Sequence, residues 1–413
     1  MPATTLWRLD VNGETVELVR QFSYSSDILA VGEECRWSIV NPGRKYVGQL
    51  KTGSVAEIYA INADVNGGQP TKKFKGRIVQ REANLGPDGA TIELGIFDLG
   101  WHLTNCCAPL WFRLDRANFV DLLDPARYVV GKNGKKAYFI EPEFGFTGVR
   151  TDGLARRRTK LGASAVSQLT KQELQPVFYV QIEPGEKFLD KLMEYARREN
   201  RLINVSPTGE IQAFLPDYDQ PPQFEFLQLS SDSQDNNILQ AKEVDNCSTR
   251  YTRVEVVGQQ LAGEVVETSP TEPNARKKRG CVTSSVLPFT NRLTVADGDM
   301  YSRGLAQKLA DWYFKRGLYD AYYIQVKVSG HHQNGVWYES DMMASVIIED
   351  LGIKGLFYIS AVQYTVDEKQ GDVALITLRV PYLLTASFGA FPQPVIKSAS
   401  PSPGTPKQEQ PTS

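Results

Sequence analysis

Hydrophobic and polar residues alternate in two similar stretches, one near each end of the chain. In the first, an apolar run at 55–61 leads through a Gly-containing turn to an alternating segment at 90–96. In the second, a run at 343–348 leads through another Gly-containing turn to an alternating segment at 374–380. Strict alternation around such turns is typical of half-buried antiparallel strands. The apolar positions of the two closing segments are Ala90, Ile92, Leu94, Ile96, Ala374, Ile376, Leu378 and Val380. The pattern predicts a duplicated β-barrel or sandwich.

Other segments add a hairpin and two helices. Asn12-Gly13, between alternating apolar runs, predicts a tight hairpin turn because these residues tolerate positive φ angles. Apolar residues recur at helical spacing after Pro184-Gly185 and again over 299–316, which predicts two amphipathic helices. A short hairpin is predicted between them, followed by a Pro-rich break at 216–222.

These elements divide the chain into four parts. Residues 1–103 are predicted to form one small all-β domain, and 104–222 a middle α+β domain. Residues 223–386 are predicted to form a second β unit, with an α+β segment inserted at about 247–338. The segment 387–413 is rich in Pro, Ser, Gln and Lys, cannot bury enough apolar surface to offset chain entropy, and is predicted to be a flexible tail.

Composition and charge exclude several classes of protein. The chain has 413 residues, 41% of them hydrophobic, which suits globular cores and excludes global disorder. The net charge of -2 argues against a protein whose main task is to grip nucleic-acid phosphates. No run predicts a membrane span, and the N-terminal residues show no signal-peptide pattern. The five cysteines lack CxxC spacing, and free thiols in a reducing cytoplasm are the simpler account.

The sequence offers little chemistry. It contains no Gly-rich phosphate loop, zincin helix or nucleophile elbow. His331-His332 precedes a predicted turn, and adjacent residues on a strand point to opposite faces, so the pair is a poor metal chelate. His102 lies near Cys106 and Cys107 without an orienting acid or amide, which favours a packed histidine at the end of the first barrel over a thiol–imidazole pair. We therefore predict no catalytic, cofactor-binding or metal-binding residue, and no cofactor.

Basic and aromatic residues have plain explanations. The cluster at 156–160 lacks interleaved aromatic residues for base stacking, which favours a solvated loop. The cluster at 276–279 also suits a solvated loop, with an interface to an acidic partner as the alternative. Trp7, Trp312 and Trp337 fall where cores or strand faces are expected, which argues against the aromatic platform of a carbohydrate-binding module.

Three stretches together resemble the baseplate hub proteins of contractile-tailed phages, closest to the Mu-type tail hub and the late control protein D family. The resemblance spans about residues 180–382 and, more loosely, 1–100. The first stretch is Pro184–Leu202 with the hairpin at Thr208, and the second is Asp245–Gln259. The third begins with the 299–316 helix and continues through Tyr323–Gly330, Gly335–Trp337 and Leu351–Ser360 to the closing hairpin. Residues 105–175 and the tail match no part of that family.

The resemblance implies a mainly β fold with α+β insertions, in which two tail-tube-like β-barrels accompany smaller α/β domains. It implies a homotrimer whose six barrels form a pseudo-sixfold ring around a channel, an adaptor between a threefold central spike and a sixfold tail tube. The expected partners are the central spike protein, the tail tube protein and other baseplate proteins, with the tape measure protein as a further candidate. DNA is expected to pass without specific binding, and no membrane insertion is expected. The expected location is the tail baseplate of the virion, after assembly in the host cytoplasm.

Two alternatives remain at this point. The same hub geometry serves tailocins and type VI-like injection devices, and a hub-associated cell-wall-degrading enzyme is the candidate from another class. The absence of a catalytic signature argues against the enzyme, so the chain is expected not to be one. Interface residues are expected on the four barrel strands at 55–61, 90–96, 343–348 and 374–380.

Overall fold

The structure is a computed structural model. It describes residues 5–105, 202–258 and 279–384, with short pieces between 113 and 193, and within the long ranges it leaves out 17–18, 42–44, 47, 87–88, 207–208, 231–234, 285–286 and 298–302 as well as 368–370. Four predictions lie wholly or largely outside the described residues. They concern the basic cluster at 156–160, the helix after Pro184-Gly185, most of the cluster at 276–279, and the tail. The same holds for Cys106 and Cys107.

The N-terminal unit is an antiparallel sheet that ends in a short helix. Its strands pair in the order β3-β4-β7-β6-β5-β1-β2. The predicted turn at Asn12-Gly13 joins β1 to β2, and both residues have positive φ angles, of 52° and 88°. The elements are β1 (Leu6–Val11), β2 (Glu14–Val16), β3 (Val19–Asp27), β4 (Glu34–Val40), β5 (Val55–Ile61), β6 (Thr71–Gly86), β7 (Gly89–Asp98) and α1 (Gly100–Asn105).

The middle region is described only in pieces, which form two small sheets. One pairs β8 with β10, and the other has the order β11-β12-β9. The hairpin predicted before the Pro-rich break corresponds to β11 and β12. The strands are β8 (Arg113–Asp115), β9 (Gly148–Arg150), β10 (Tyr179–Gln181), β11 (Leu202–Val205) and β12 (Glu210–Phe214).

The C-terminal unit contains the remaining elements. Its main strands pair in the order β14-β18-β23-β22-β21-β13. The elements are β13 (Phe224–Gln228), β14 (Ile238–Asp245), β15 (Arg253–Gly258), β16 (Arg279–Thr283), β17 (Arg292–Asp297), α2 (Arg303–Ala321), β18 (Tyr322–Ser329), β19 (His332–Gln333), β20 (Val336–Trp337), β21 (Met342–Ile348), β22 (Ile353–Asp367) and β23 (Gly371–Arg379).

The two units repeat one strand order. The series β3-β4-β7-β6-β5-β1 of the first unit matches β14-β18-β23-β22-β21-β13 of the second in strand order. The pairing directions also match except in the last pair, because β1 is antiparallel to β5 whereas β13 is parallel to β21. Two β-bulges also recur at corresponding places, one on β6 and β22 and one on β3 and β14. The extra residues are Val79, Ser360, Arg20 and Leu239. A bulge bends its strand at a defined place, so the shared positions indicate the same local curvature in both units.

The two units form one continuous sheet. The second half of β22 pairs antiparallel with β3, from Ala361 opposite Asp27 to Val366 opposite Phe22. Along most strands of the main sheet, buried positions alternate with more exposed ones, as in β18 from Tyr322 to Ser329. One face therefore packs into a shared hydrophobic core, and the other stays polar. The prediction of a mainly β fold with α+β insertions is confirmed.

An inserted segment separates β14 from β18. It consists of the sheet β16-β15-β17 with α2 packed against it. The prediction that this segment extends to about residue 338 is wrong for β18, which lies within the main sheet between β14 and β23. The alternation of apolar and polar residues in β18 predicts a strand but does not indicate which strands it pairs with. The cluster beneath α2 comprises Val254, Val256, Val282, Ala306, Leu309, Ala310 and Phe314.

Candidate assembly interface

The junction between the two units is built on the β3–β22 ladder. Tyr24 lies directly opposite Tyr364, and their rings stack with centroids 5.8 Å apart. On the other face of the ladder, the Gln363 side-chain amide donates a hydrogen bond of 3.3 Å to Ser23 Oγ. Because adjacent strands of one sheet share backbone hydrogen bonds and cross-strand contacts, this junction fixes the register of one unit against the other.

Aromatic side chains fill the core below the junction. The Trp7 ring of β1 stacks on Phe22 of β3 at a centroid distance of 4.4 Å. Trp7 also approaches Tyr364 at 5.3 Å and Trp337 at 6.5 Å, both in the C-terminal unit. Such pairs contribute about 0.5–1.5 kcal/mol beyond the area they bury. The N-terminal strand is therefore anchored in the core of both units.

His331 is the polar centre of this aromatic cluster and is fully buried. Trp7 Nε1 donates a hydrogen bond of 3.1 Å to His331 Nδ1. His331 Nε2 lies 3.2 Å from the Thr365 carbonyl oxygen and 3.1 Å from that of Val373. An indole N–H can only donate and a carbonyl can only accept, so the ring is neutral with its proton on Nε2. Burial lowers the pKa of His331, which agrees with a neutral ring.

A buried ammonium group also crosses the junction. Lys73 of β6 is almost fully buried and forms an ion pair with Glu339, in the segment between β20 and β21. Its Nζ lies 5.1 Å from the centroid of the Trp337 ring. Burial lowers the pKa of Lys73, and the charge of Glu339 opposes that shift. Because an unpaired buried ammonium is costly, this contact favours one arrangement of the two units.

Two buried carboxyl groups lie at the end of the N-terminal unit. The Tyr24 hydroxyl donates a hydrogen bond of 2.8 Å to Glu33 Oε2. Asp98 Oδ1 accepts from the Trp101 backbone N–H at 3.2 Å, where α1 begins, and Oδ2 has no hydrogen-bond partner among the described residues. Burial raises the pKa of Glu33 to about 8, helped by the charge of Asp98, and raises the pKa of Asp98 to about 7. Glu33 therefore favours its protonated form near neutral pH, whereas Asp98 is only about half protonated there.

The exposed face of the N-terminal sheet forms a polar groove across β3, β4, β7 and β6. Among the described residues that line it, the charged groups are Glu34, Glu82 and Glu93 with one guanidinium, Arg36. Arg36 Nε donates to Glu34 Oε1 at 2.8 Å, and Glu82 lies directly opposite Glu93 in the ladder. The groove therefore presents an excess of negative charge.

Among the strand edges that lack a partner in the part of the chain that the structure describes, two belong to the counterparts of the junction strands, β6 and β14. The segment 80–86 of β6 pairs with β7 on one side only, because β5 ends its pairing at Arg77. Within the same described residues, the edge of β14 that faces away from β18 is also unpaired. Each edge carries a strongly exposed leucine, Leu85 at 84% and Leu239 at 60%. Open edges with exposed apolar side chains are templates for pairing with another chain.

The structure places the residues singled out from the sequence in different environments. The predicted interface strands place Ile58, Ile92, Val346 and Ile376 in the core, and whether their other faces contact partners stays a prediction. The two open edges were not predicted, although Leu85 and Leu239 stand out as apolar residues at polar positions. The sequence places His331 just before a turn but gives no sign of its buried bridging position, because only tertiary packing creates it.

The other candidates follow the plainer expectation where they are described. His102 is buried in α1, and burial lowers its pKa to about 4. Trp7, Trp312 and Trp337 are buried, as predicted. Arg279, the one described residue of its basic cluster, forms an ion pair of 2.6 Å with Glu255.

Within the described part of the chain, no three His, Cys, Asp or Glu side chains are grouped as metal ligands. None of the helices described there has the length and apolar character that a membrane span requires.

Comparison with known proteins identifies the fold. No protein-family model and no curated protein matches the sequence. A tail protein from Neisseria meningitidis MC58 superimposes with a TM-score of 0.69 at 17% identity, covering 92% of this chain and 98% of that one. The 43 kDa tail protein of prophage MuSo2 from Shewanella oneidensis gives 0.65 at 15% identity, covering 91% and 98%. The chain has the fold of phage tail proteins.

A weaker likeness extends to a chain of another complex. The Francisella PdpA–VgrG complex contains a chain that matches with a TM-score of 0.51 at 9% identity, covering 92% of this chain and 65% of that one. At these identities the likeness concerns the fold. The part each protein plays in its assembly is a separate question.

Proposed function

We propose that this protein is the structural baseplate hub of a contractile phage tail. Three copies form a ring that joins a threefold central spike to a sixfold tail tube and surrounds the channel. Each chain supplies two tail-tube-like barrels, so that three chains present six similar units. The protein acts in the tail baseplate of the virion, after assembly in the host cytoplasm.

The observation that carries this proposal is the repeated strand order with its repeated bulges. A closed oligomer needs repeated interfaces, and a chain that contains one unit twice can satisfy threefold and sixfold neighbours together. The edge-to-edge pairing of β3 with β22 supports the same arrangement, because it joins the two units as neighbours around a ring.

The polar groove supports a channel that lets DNA pass. Three carboxylates against one guanidinium repel phosphate, whereas a cationic wall would bind it without sequence preference. We place this groove on the channel side of the ring. The core face of the same sheet is unavailable for that role, because it is packed with apolar side chains.

The partners in this proposal are the spike, tube and other baseplate proteins, with the tape measure protein as a further candidate. The decisive experiment is the mass of the purified oligomer by light scattering. We expect three times the chain mass of 46.1 kDa. A protein that remains monomeric at micromolar concentration would refute the hub assignment.

A tailocin or type VI-like injection device is the second candidate, because the fold also matches a chain of the Francisella PdpA–VgrG complex. The genes adjacent to the coding sequence distinguish these systems: capsid and terminase genes belong to a phage and are absent from the other two. We further propose that the chain is not an enzyme. A zymogram with purified protein tests this, and a cleared band from pure protein would support the alternative of a wall-degrading hub component.

A further inference from the structure

The chain contains a template for the contact between its own copies. Within one chain, β3 of the first unit pairs with the second half of β22. The counterpart of β3 is β14, and the counterpart of β22 is β6. Those two strands carry the two open edges described above. The β3–β22 pair forms within one chain. Among the described residues, its counterpart, β14 with β6, is not formed within the chain and can form between two chains.

The bulges fix the correspondence residue by residue. Gln80 follows the bulge of β6 as Ala361 follows that of β22. Likewise, Gln21 follows the bulge of β3 as Gln240 follows that of β14. Both correspondences hold along the strands without insertion, and the β6 and β22 hairpins end at matching positions, Gly86 and residue 367.

Transferring the β3–β22 register gives a definite set of contacts between copies. The pair of Ala361 with Asp27 becomes Gln80 with Asn246, and the pair of Val366 with Phe22 becomes Leu85 with Ala241. The four pairs between these ends are Arg81 with Asp245, Glu82 with Val244, Ala83 with Glu243, and Asn84 with Lys242.

The side chains at these positions complement one another. Arg81 falls directly opposite Asp245, which places a cation against an anion on the same face. On the other face, the Gln363–Ser23 contact of 3.3 Å within the chain corresponds to Glu82 and Lys242. That transfer replaces a neutral hydrogen bond by an ion pair. No pair of like charges falls directly opposite in this register.

The same register covers exposed apolar surface. Leu85 falls opposite Ala241, two residues along β14 from the bulge residue Leu239, so the two most exposed leucines of these edges lie at the same end of the ladder. Burying an exposed leucine is favourable and offsets part of the cost of ordering an edge strand. Both leucines would otherwise remain in water on strands that invite pairing.

We propose that β14 of one copy pairs antiparallel with residues 80–86 of β6 of the next copy, in the register given above. This inference rests on the proposed ring of three copies and names the contact that closes it. Each copy then offers one β14 edge and one β6 edge. Such head-to-tail contacts either close into a ring or continue as a filament, and three copies are the closed case.

Disulfide cross-linking tests the contact. The test variant carries Glu82→Cys and Val244→Cys, which fall opposite each other between copies. In the sheet of one chain, six strands separate β14 from β6, so a disulfide between these positions joins two chains. The control carries Glu82→Cys and Glu243→Cys, whose side chains point to opposite faces of the sheet. The background replaces Cys106, Cys107, Cys247 and Cys281 by Ser and keeps Cys35, which is buried.

Under mild oxidant, we expect covalent dimers and trimers from the test variant on a non-reducing gel, with a ladder that ends at three. The control and the single-cysteine variants are expected to stay at the chain mass. Equal cross-linking of test and control would overturn the register. A trimer by light scattering that does not cross-link would overturn the edge contact and leave the proposed hub intact, whereas a monomer would overturn both.

A second variant tests the proposal if the variant with Glu82→Cys and Val244→Cys folds poorly. Leu85→Lys adds a charge at an exposed edge position, which blocks strand addition without touching the core. We expect its light-scattering mass to fall to that of one chain, with an unchanged circular dichroism spectrum. Leu356→Lys, at another exposed leucine, is the matched control and should remain trimeric. Trimers from both variants would contradict the contact.

Discussion

The buried carboxyl group of Glu33 makes the stability of this protein depend on pH. Its pKa is raised by burial from 4.5 to about 8. The folded state therefore binds a proton more tightly than the unfolded state does. The stability that this proton contributes is fully present below pH 4.5 and is lost as pH rises to about 8.

The size of the effect follows from the two pKa values. A tenfold change in proton affinity corresponds to about 1.4 kcal/mol, so the difference between a pKa of 4.5 and one of about 8 sets an upper bound of about 5 kcal/mol. Glu33→Gln imitates the neutral acid at every pH, and its amide oxygen can still accept from the Tyr24 hydroxyl. We expect the variant to gain stability relative to the natural protein across the window from pH 4.5 to about 8, by about 2–5 kcal/mol in total.

Urea unfolding followed by tryptophan fluorescence from about pH 5 to 9 measures this difference, at one fixed protein concentration because assembly adds to apparent stability. The unfolding free energy of Glu33→Gln minus that of the natural protein should rise with pH and become constant above about pH 8. Glu225→Gln, at an exposed position of β13, controls for the loss of one negative charge. Stability curves of Glu33→Gln and the natural protein that run parallel over the whole range would refute the reasoning.

Three further perturbations test the core, the junction and the inserted segment. Leu94→Asp or Leu378→Asp should abolish folding or trimer formation, since an unpaired buried carboxylate costs several kcal/mol, as circular dichroism and light scattering will show. Trp7→Phe should lower stability in urea by about 1–3 kcal/mol, because His331 Nδ1 loses its donor. Gly280→Ala should speed amide exchange in β15 and β16 and leave the main sheet protected, because its Cβ would collide with the backbone of α2.

Each perturbation has a neighbour that serves as its control. Thr91→Asp and Thr377→Asp place the charge on the polar face, and aggregation of these variants too would contradict the assignment of faces. Trp337→Phe removes a longer indole hydrogen bond of 3.4 Å, so an equal loss from both tryptophan variants would argue against a special role for His331. In Gly355→Ala the added Cβ would make only an ordinary contact of 3.8 Å with the Phe357 ring. If this variant also speeds amide exchange in β15 and β16, the collision of Gly280→Ala with α2 is not the cause.

Local patterns in the sequence were sufficient to predict several of the strands, although not β13, β14, β16 or β17. Alternation identified β5, β7, β21 and β23, and Asn12-Gly13 identified the first turn, because pleat and turn chemistry act between near neighbours. Similar hairpins at both ends also predicted a duplication, and the two units share one strand order; the number of barrels stays a prediction.

Contacts between segments that are distant in the sequence could not be predicted from these local patterns. The pairing of β3 with β22 leaves no local mark, because an alternating strand looks the same whichever neighbour it has. Glu33 is a buried acid in a sequence position that suits a surface turn, and only the packing around it reveals the environment. The place of β18 in the main sheet was missed for the same reason.

The ladder between β3 and β22 also sets an order of events during synthesis. Ser23 and its partner Gln363 are 340 positions apart, so the ribosome must add the whole intervening chain before that hydrogen bond exists. At about 5–20 residues per second, β3 waits roughly 20–70 s for its neighbour. Nascent and prematurely terminated chains therefore expose one edge of β3, and such an open edge is a template for aggregation until translation is complete.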